Sequence, residues 1–230
     1  MISIRELDFH YEADSFSLQI PSLDIGAGER VACVGPSGSG KTTLLNLLAG
    51  ILPTAKGKVE VCDVNMSALG DAARRDFRIS IIGLVFQEFE LLEYLTVLDN
   101  VLLPFRINRS MRLTPEARET SRELLTQVGL AEVAHRRPEH LSHGQRQRVA
   151  VCRSLSTMPK LVLADEPTAS LDDTNKLNVL DMLDAHVQRT GATLIVVTHD
   201  NEVSRRFDRT INIASITRDT STVDALSQFR

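Results

Sequence analysis

Apolar residues follow two different patterns along the chain. Residues 2–9 and 16–20 alternate apolar and polar side chains, which predicts two strands with one buried face, the second of them ending at Pro21. Largely apolar runs without alternation occur at 30–34, 79–86, 161–165 and 192–197. Such runs are typical of strands buried on both faces of a parallel sheet, so the chain is predicted to belong to the α/β class.

Between residues 87 and 159 the spacing of apolar residues is helical. Thr114 followed by Pro115 predicts a helix start, because Thr caps helix N-termini and Pro fits the first helical position. Ser142, with Gln145 three residues later, has the spacing of a capping box and predicts a second helix start.

These patterns divide the chain into a core, an insertion and a tail. An α/β core is expected at residues 1–86 and 160–216, the helical subdomain at 87–159 and the tail at 217–230. The three parts are expected to form one domain, because the insertion lies between strands of one sheet.

A glycine-rich stretch, GPSGSGKT at residues 35–42, fits the phosphate-binding pattern G-x-x-x-x-G-K-[ST]. It lies between a predicted strand and a predicted helix, the context in which backbone N–H groups and a helix N-terminus bind phosphate. Lys41 is expected to reach the β- and γ-phosphates of ATP, and Thr42 to bind Mg²⁺. The predicted nucleotide-binding residues are Gly35, Pro36, Ser37, Gly38, Ser39, Gly40, Lys41, Thr42 and Thr43. A glycine-rich turn with an incidental lysine is the alternative.

Two adjacent carboxylates follow the apolar run at 161–164. Asp165 and Glu166 lie where a parallel strand ends, which is the edge at which open α/β sheets bind ligands. Asp165 is expected to hold Mg²⁺ through a water, and Glu166 is the candidate general base for the attacking water. A passive second acidic group is the alternative for Glu166.

Composition narrows the class of function. The 230 residues carry a net charge of −4, which argues against a general nucleic-acid binder, so no direct nucleic-acid partner is expected. Cys33, Cys62 and Cys152 are isolated in apolar surroundings and indicate buried thiols in a reducing compartment. The N-terminus has no signal-peptide pattern and no apolar run approaches membrane-spanning length, so a cytoplasmic location is expected.

Several short motifs, in order along the chain, resemble those of the ABC-type ATPases. The most specific is LSHGQ at residues 141–145, which resembles the L-S-G-G-Q signature of that family. The others are Tyr11, Gln87, the D-loop match Ser170, Leu171 and Asp172, and the switch histidine His199. The resemblance covers residues 2–213. It implies a P-loop NTPase core of the ABC ATPase type, with an N-terminal antiparallel β subdomain and an inserted α-helical subdomain.

The resemblance also implies a site shared by two copies of the chain. In the ABC-type ATPases, the signature of one subunit faces the ATP that the other subunit holds. Ser142 and Gly144 would therefore contact the nucleotide of a second copy in a head-to-tail dimer. Gln145 and Asp172 are also expected to bind nucleotide. A simple helix cap is the alternative for Ser142.

Three further residues are implied to act on the nucleotide of their own chain. Gln87 would contact Mg²⁺ or the lytic water, His199 the γ-phosphate, and Tyr11 would stack on adenine. Gln87 and His199, together with Lys41 and Glu166, form the expected catalytic set. Phe9 and Phe16 remain the alternative aromatic partners for adenine.

One residue of the signature departs from the family pattern. His143 stands in the place of its first glycine, where a positive φ would disfavour most side chains. One hypothesis is that His143 lies near phosphate at the dimer interface and makes hydrolysis depend on pH. Unchanged pH–rate profiles in His143→Gly would contradict it. The alternative is a tolerated side chain that faces solvent.

The segment from Val85 to Val101 is similar to the ATPases that serve lipoprotein-releasing and macrolide-export permeases and to a related cell-division ATPase. That likeness implies an ATP-hydrolysing subunit on the cytoplasmic face of the inner membrane, docked on a separate membrane permease near Gln87. A soluble ABC-type ATPase acting on DNA or ribosomes is the alternative. The transported substrate is not encoded in this chain.

Overall fold

The computed structural model describes residues 1–11, 16–54, 56–108, 110–169 and 171–217, and their strands form two sheets. The strands are β1 (Ile2–His10), β2 (Ser17–Ile25), β3 (Arg30–Val34), β4 (Lys56–Val61), β5 (Val64–Asn65), β6 (Ile82–Val85), β7 (Leu161–Asp165), β8 (Thr193–Val197) and β9 (Arg209–Asn212). An antiparallel sheet has the order β2-β1-β4-β5, and a parallel sheet has the order β6-β7-β8-β3-β9. The expected α/β class is therefore correct.

The helices surround the parallel sheet and fill the chain between β6 and β7. They are α1 (Lys41–Leu48), α2 (Asp71–Ile81), α3 (Val97–Val101), α4 (Leu103–Ile107), α5 (Pro115–Gln127), α6 (His143–Leu155), α7 (Asp173–Thr190), α8 (Asn201–Ser204) and α9 (Ile213–Ile216). Short 3₁₀ helices lie at Met66–Ala68, Ala131–Val133 and Pro138–His140. None of these helices is both long and apolar enough to span a membrane.

Two helices in the insertion begin where the capping residues predict. The Thr114 hydroxyl accepts a hydrogen bond from the N–H of Ala117 at 3.2 Å, and Pro115 opens α5. At the start of α6, Ser142 and Gln145 form both bonds of the capping box, at 3.2 and 2.9 Å. Both predictions are confirmed, because a helix start is decided by residues within one turn of it.

Two strand predictions were wrong in their extent. Pro21 does not end β2, which continues to Ile25. Because β2 lies at the edge of its sheet, the missing N–H of the proline breaks no bond to a further strand. The apolar run at 79–86 is divided between the last turn of α2 and strand β6, since an apolar run does not distinguish a buried helix end from a strand.

The parallel sheet is buried on both faces, which explains its continuously apolar strands. Leu161 and Leu163 of β7 pack into a core with α1 and the antiparallel sheet. Val162 and Ala164, which alternate with them, pack into a second core with residues of α3, α5, α6 and α7. The inserted helices thus share one core with the sheet rather than forming a separate one.

Candidate nucleotide-binding site

A cleft of about 470 Å³ lies at the carboxyl ends of the parallel strands. Its lining residues are Tyr11, Phe16, Gly35, Ser37, Gly38, Gly40, Lys41, Thr42, Thr43, Gln87, Asp165, Glu166, Ala169 and His199. The glycine-rich loop follows β3, Gln87 follows β6, Asp165 ends β7 and His199 follows β8. Residues far apart in sequence therefore meet because neighbouring strands end at the same edge.

The glycine-rich loop is shaped by backbone geometry that favours glycine. Gly40 has φ +94°, and a Cβ there would lie 2.9 Å from Cζ of Phe16. The Lys41 ammonium group donates to the carbonyl oxygens of Gly35 and Pro36, both at 2.9 Å. The lysine therefore lies back over the loop, where its charge is available to an anion in the cleft.

Asp165 and Thr42 are in direct contact at the base of the cleft. The Thr42 hydroxyl donates to Oδ2 of Asp165 at 2.6 Å, and Asp165 is 6% exposed. Burial raises the pKa of the Asp165 carboxyl above its usual value, and the hydrogen bond from Thr42 opposes that rise. A buried carboxylate beside a hydroxyl is a pair of oxygen donors that suits a hard cation.

Glu166 and His199 form a second polar pair beside the first. His199 Nδ1 lies 2.7 Å from Oε1 of Glu166, whose side chain is only 12% exposed. The backbone of Glu166 has φ +48°, a rare conformation for a residue with a side chain, and its N–H donates to the Val197 carbonyl oxygen at 3.0 Å. The carboxylate is therefore held in one place, facing the cleft.

The aromatic side of the cleft contains two rings. Tyr11 and Phe16 lie with ring centroids 6.1 Å apart, and the Tyr11 hydroxyl is 3.4 Å from Oγ1 of Thr43. Phe9 is buried in the core and packs edge-on against Tyr11 at 4.9 Å, so it does not line the cleft. Of the three aromatic candidates for adenine, two remain.

The remaining predicted site residues lie outside this cleft. Ser142, Gly144, Gln145 and Asp172 do not line it, and Asp172 caps α7 by accepting from the N–H of Asn175 at 3.0 Å. Two loop residues, Pro36 and Ser39, are also absent from the lining. Ser170 and residues 218–230 fall outside the described residues. A single chain thus assembles one group of predicted residues in the cleft and leaves a second group elsewhere.

His143 is the first residue of α6 and does not have a positive φ, so the backbone strain considered for this position is absent. Its ring packs edge-to-face against Phe89, with centroids 4.5 Å apart and planes at 71°. Sensitivity of hydrolysis to its protonation remains a prediction. Phe89 and the buried Arg153, which binds the same loop, had no role assigned from sequence because only the fold brings them together.

Comparison with known proteins identifies relatives of this arrangement. A family model described as ABC transporter matches residues 18–169. The lipoprotein-releasing system ATP-binding protein LolD of Anaeromyxobacter dehalogenans is 44% identical over 191 residues, covering 83% of this chain and 80% of that protein. LolD of Pseudomonas fluorescens is 40% identical over 216 residues, covering 93% and 94%. The macrolide export ATP-binding/permease protein MacB of Rhodopirellula baltica is 43% identical over 192 residues, which are 84% of this chain and 28% of MacB.

Solved structures are similar as well. The dimeric structure of a post-hydrolysis state of the ATP-binding cassette MJ0796, bound to ADP and Pi, superimposes with a TM-score of 0.85 at 34% identity. The match covers 92% of this chain and 94% of that one. A second dimeric structure of MJ0796, described as a bacterial ABC transporter cassette, matches equally well.

Proposed function

The chain belongs to the ABC transporter family of ATP-binding proteins, and from that membership we propose how its own residues hydrolyse ATP and drive a permease. It is an ATPase subunit of a membrane transporter. We propose the roles of its individual residues, its metal, its cellular location and the branch of permease that it serves. The main support for the residue roles is the contact between Glu166 and His199, which lie 2.7 Å apart in the same cleft as Lys41 and Asp165.

Thr42 and Asp165 would hold Mg²⁺, with the phosphates of ATP completing the coordination. The donors fit this ion, because Mg²⁺ in nucleotide sites is usually bound by one or two carboxylates together with substrate phosphates. The described residues contain no cluster of three or more His, Cys, Asp or Glu that could hold a metal alone, in keeping with a site completed by the nucleotide. The bound ion would supply positive charge to the phosphates.

Glu166 is the general base in this proposal. Its carboxylate accepts a proton from the water that attacks the γ-phosphate, while Lys41 and loop N–H groups stabilise the negative charge of the transferring phosphoryl group. His199 orients the carboxylate through their hydrogen bond. Gln87, exposed at the edge of the cleft, contacts the same water in this proposal.

The complete site needs a second copy of the chain. We call residues 35–43 with Asp165 and Glu166 the cleft half, and residues 142–145 with Asp172 the signature half. In a head-to-tail dimer, the signature half of one copy closes over ATP bound in the cleft half of the other. The Ser142 hydroxyl accepts from the N–H of Gln145, which leaves its own hydrogen free to donate to a phosphate. The N-terminus of α6 favours the same anion.

The permease would dock beside Gln87. A groove of about 240 Å³ lies between α2, β6 and α4, and its lining includes Ile79, Phe86, Leu103 and Ile107. Ile107 is 60% exposed, so an apolar side chain is offered to a partner. In this proposal a cytoplasmic helix of a permease of the lipoprotein-release, macrolide-export or cell-division type occupies the groove, and the chain lies on the cytoplasmic face of the inner membrane.

Substitution of the proposed base tests this mechanism. Glu166→Gln should bind MgATP, hydrolyse it at least about 100-fold more slowly than the parent, and accumulate as a dimer in size-exclusion chromatography. Glu123→Gln, an exposed change on α5, is the matched control and should turn over normally. Near-parental turnover in Glu166→Gln would show that another group is the base.

Co-purification tests the partner. The tagged chain should recover a membrane permease from solubilised membranes, because the relatives named above are ATP-binding proteins of transport systems. Recovery of ribosomes or DNA with no membrane protein would favour the soluble ABC-type ATPase instead.

A further inference from the structure

The loop after Gln87 has an unusual backbone. Phe89 and Glu90 have φ values of +39° and +50°, in the left-handed region that residues with side chains seldom adopt. Such a conformation persists only where surrounding contacts hold it. Gln87, which lines the nucleotide cleft, lies two residues earlier in the chain, so contacts that hold Phe89 limit where Gln87 can lie.

Arg153 of α6 holds this loop by hydrogen bonds to its backbone. Its side chain is buried, and its two Nη groups donate to the carbonyl oxygens of Glu90 and Phe89, each at 2.5 Å. Burial lowers the pKa of Arg153 to about 10, so the guanidinium stays charged at neutral pH. Charge-assisted bonds of this kind are stronger than neutral ones and fix both carbonyl groups in place.

His143 contacts the same loop from the other end of α6. Its ring packs edge-to-face on Phe89, with centroids 4.5 Å apart. Residues 143 and 153 are ten positions apart, about 15 Å along a helix. Because a helix moves as a rigid body, a displacement of the N-terminus of α6 changes both the His143 contact and the Arg153 contact.

We propose that α6 clamps residues 89 and 90 at two points, and that His143 is a positioning residue that couples Ser142 to Gln87. This inference rests on the proposed role of Ser142 at the ATP of a second copy. Ser142 immediately precedes His143, so closure of the signature half over a phosphate moves the His143 ring against Phe89. A glycine at residue 143 would have no ring to make this contact, so the departure from the family signature adds a link between the two halves.

Steady-state kinetics test the coupling. His143→Ala and Phe89→Leu should each lower kcat about five-fold with little change in KM for ATP, the effect expected for one lost aromatic contact. The double variant should be no slower than the slower single variant, because both remove the same contact. His143→Phe keeps a ring and should restore kcat to within about two-fold. His140→Ala, an exposed histidine in a nearby 3₁₀ helix, is the matched control.

Parental kcat in His143→Ala, or effects of His143→Ala and Phe89→Leu that multiply in the double variant, would overturn the inference. The His143 variants should keep the parental melting temperature, since the His143 side chain is exposed. A lowered melting temperature together with unrecovered kcat in His143→Phe would also overturn it, because that result indicates only a structural role.

Fluorescence gives a readout that a purely structural role does not affect. The chain contains no Trp, so Phe89→Trp introduces a single reporter in the loop. In a Glu166→Gln background, MgATP should shift its emission as the dimer forms, and adding His143→Ala should abolish the shift while chromatography still shows the dimer. An equal emission shift with and without His143→Ala would overturn the coupling through His143 and leave the proposed function standing. Failure of Glu166→Gln to form any dimer would overturn the proposed function and the coupling with it.

Discussion

The cleft half and the signature half of the proposed ATP site are built in opposite ways. In the cleft half, Asp165 is buried and bonded to Thr42 at 2.6 Å, and Glu166 is bonded to His199 at 2.7 Å. Ser142 in the signature half is exposed, and its hydrogen bonds to other described residues lie within its own helix start. One half is therefore preorganised by the fold, whereas the other is a capped helix end that, in the proposed mechanism, contacts the nucleotide of a second copy.

This difference separates binding from turnover. A single chain contains the phosphate loop, the candidate metal ligands and the candidate base, so it should bind nucleotide by itself. In the proposed mechanism, turnover also needs donors from the signature half, which lie outside the cleft of the same chain. Substitutions in the two halves should therefore have different effects on nucleotide affinity and on kcat.

The largest effect is expected from Lys41→Ala in the cleft half. Among the described residues, its ammonium group donates to the carbonyl oxygens of Gly35 and Pro36 of its own loop, so folding should be preserved. Hydrolysis should fall about 10³-fold and nucleotide binding by the monomer should be lost, because the phosphate charge is no longer matched. Isothermal titration calorimetry measures nucleotide binding, and a phosphate-release assay measures hydrolysis. ATP affinity within two-fold of the parent would contradict this assignment.

Ser142→Ala should have a smaller effect, and a different one. We expect kcat to fall about 10- to 100-fold while ATP affinity of the monomer is unchanged, since one donor to the developing charge is lost. Loss of the cap should also destabilise the chain by about 1 kcal/mol in urea unfolding.

Thr114→Ala is the matched control for Ser142→Ala. It removes an equivalent cap from α5, at a residue outside the signature half, and should lower stability by a similar amount with kcat unchanged. If the two variants lose the same amount of kcat, then Ser142 is only a helix cap.

Asp165→Asn should stabilise the nucleotide-free protein. Burial raises the pKa of Asp165, so the folded state favours the protonated carboxyl. The stability that this group contributes is present below its unfolded pKa, about 3.9, and is lost as pH rises through the raised folded pKa. The melting temperature of Asp165→Asn should therefore exceed that of the parent by a margin that grows as pH increases above about 4. If the difference in melting temperature between Asp165→Asn and the parent decreased as pH rises, the raised pKa of Asp165 would be contradicted.

The smallest effect is expected from Tyr11→Phe. The Tyr11 hydroxyl lies 3.4 Å from Oγ1 of Thr43, which is long for a hydrogen bond between hydroxyls, and the ring remains for stacking. ATP affinity should change by less than about two-fold, whereas Tyr11→Ala should weaken it about ten-fold. Phe16→Ala, measured in parallel by titration with a fluorescent ATP analogue, decides which of the two rings stacks on adenine.

Sequence reasoning succeeded where the deciding contacts are local. Thr114 and Ser142 mark helix starts because capping bonds span three residues, and GPSGSGKT marks a phosphate loop because glycine conformations are needed within eight residues. It failed at Pro21 and at 79–81, where a sheet edge and a helix packed on the sheet decide the outcome.

The sequence by itself determined the class of protein, because phosphate loop, signature and switch histidine are each short stretches with a fixed order of residue types. Only the tertiary structure decided how these stretches are related in space. It brought Glu166 to His199 and Asp165 to Thr42, left Ser142 outside the cleft, and placed His143 against Phe89. Those contacts depend on which strands are neighbours and on the direction of α6, and both are set by burial of apolar residues from the whole chain.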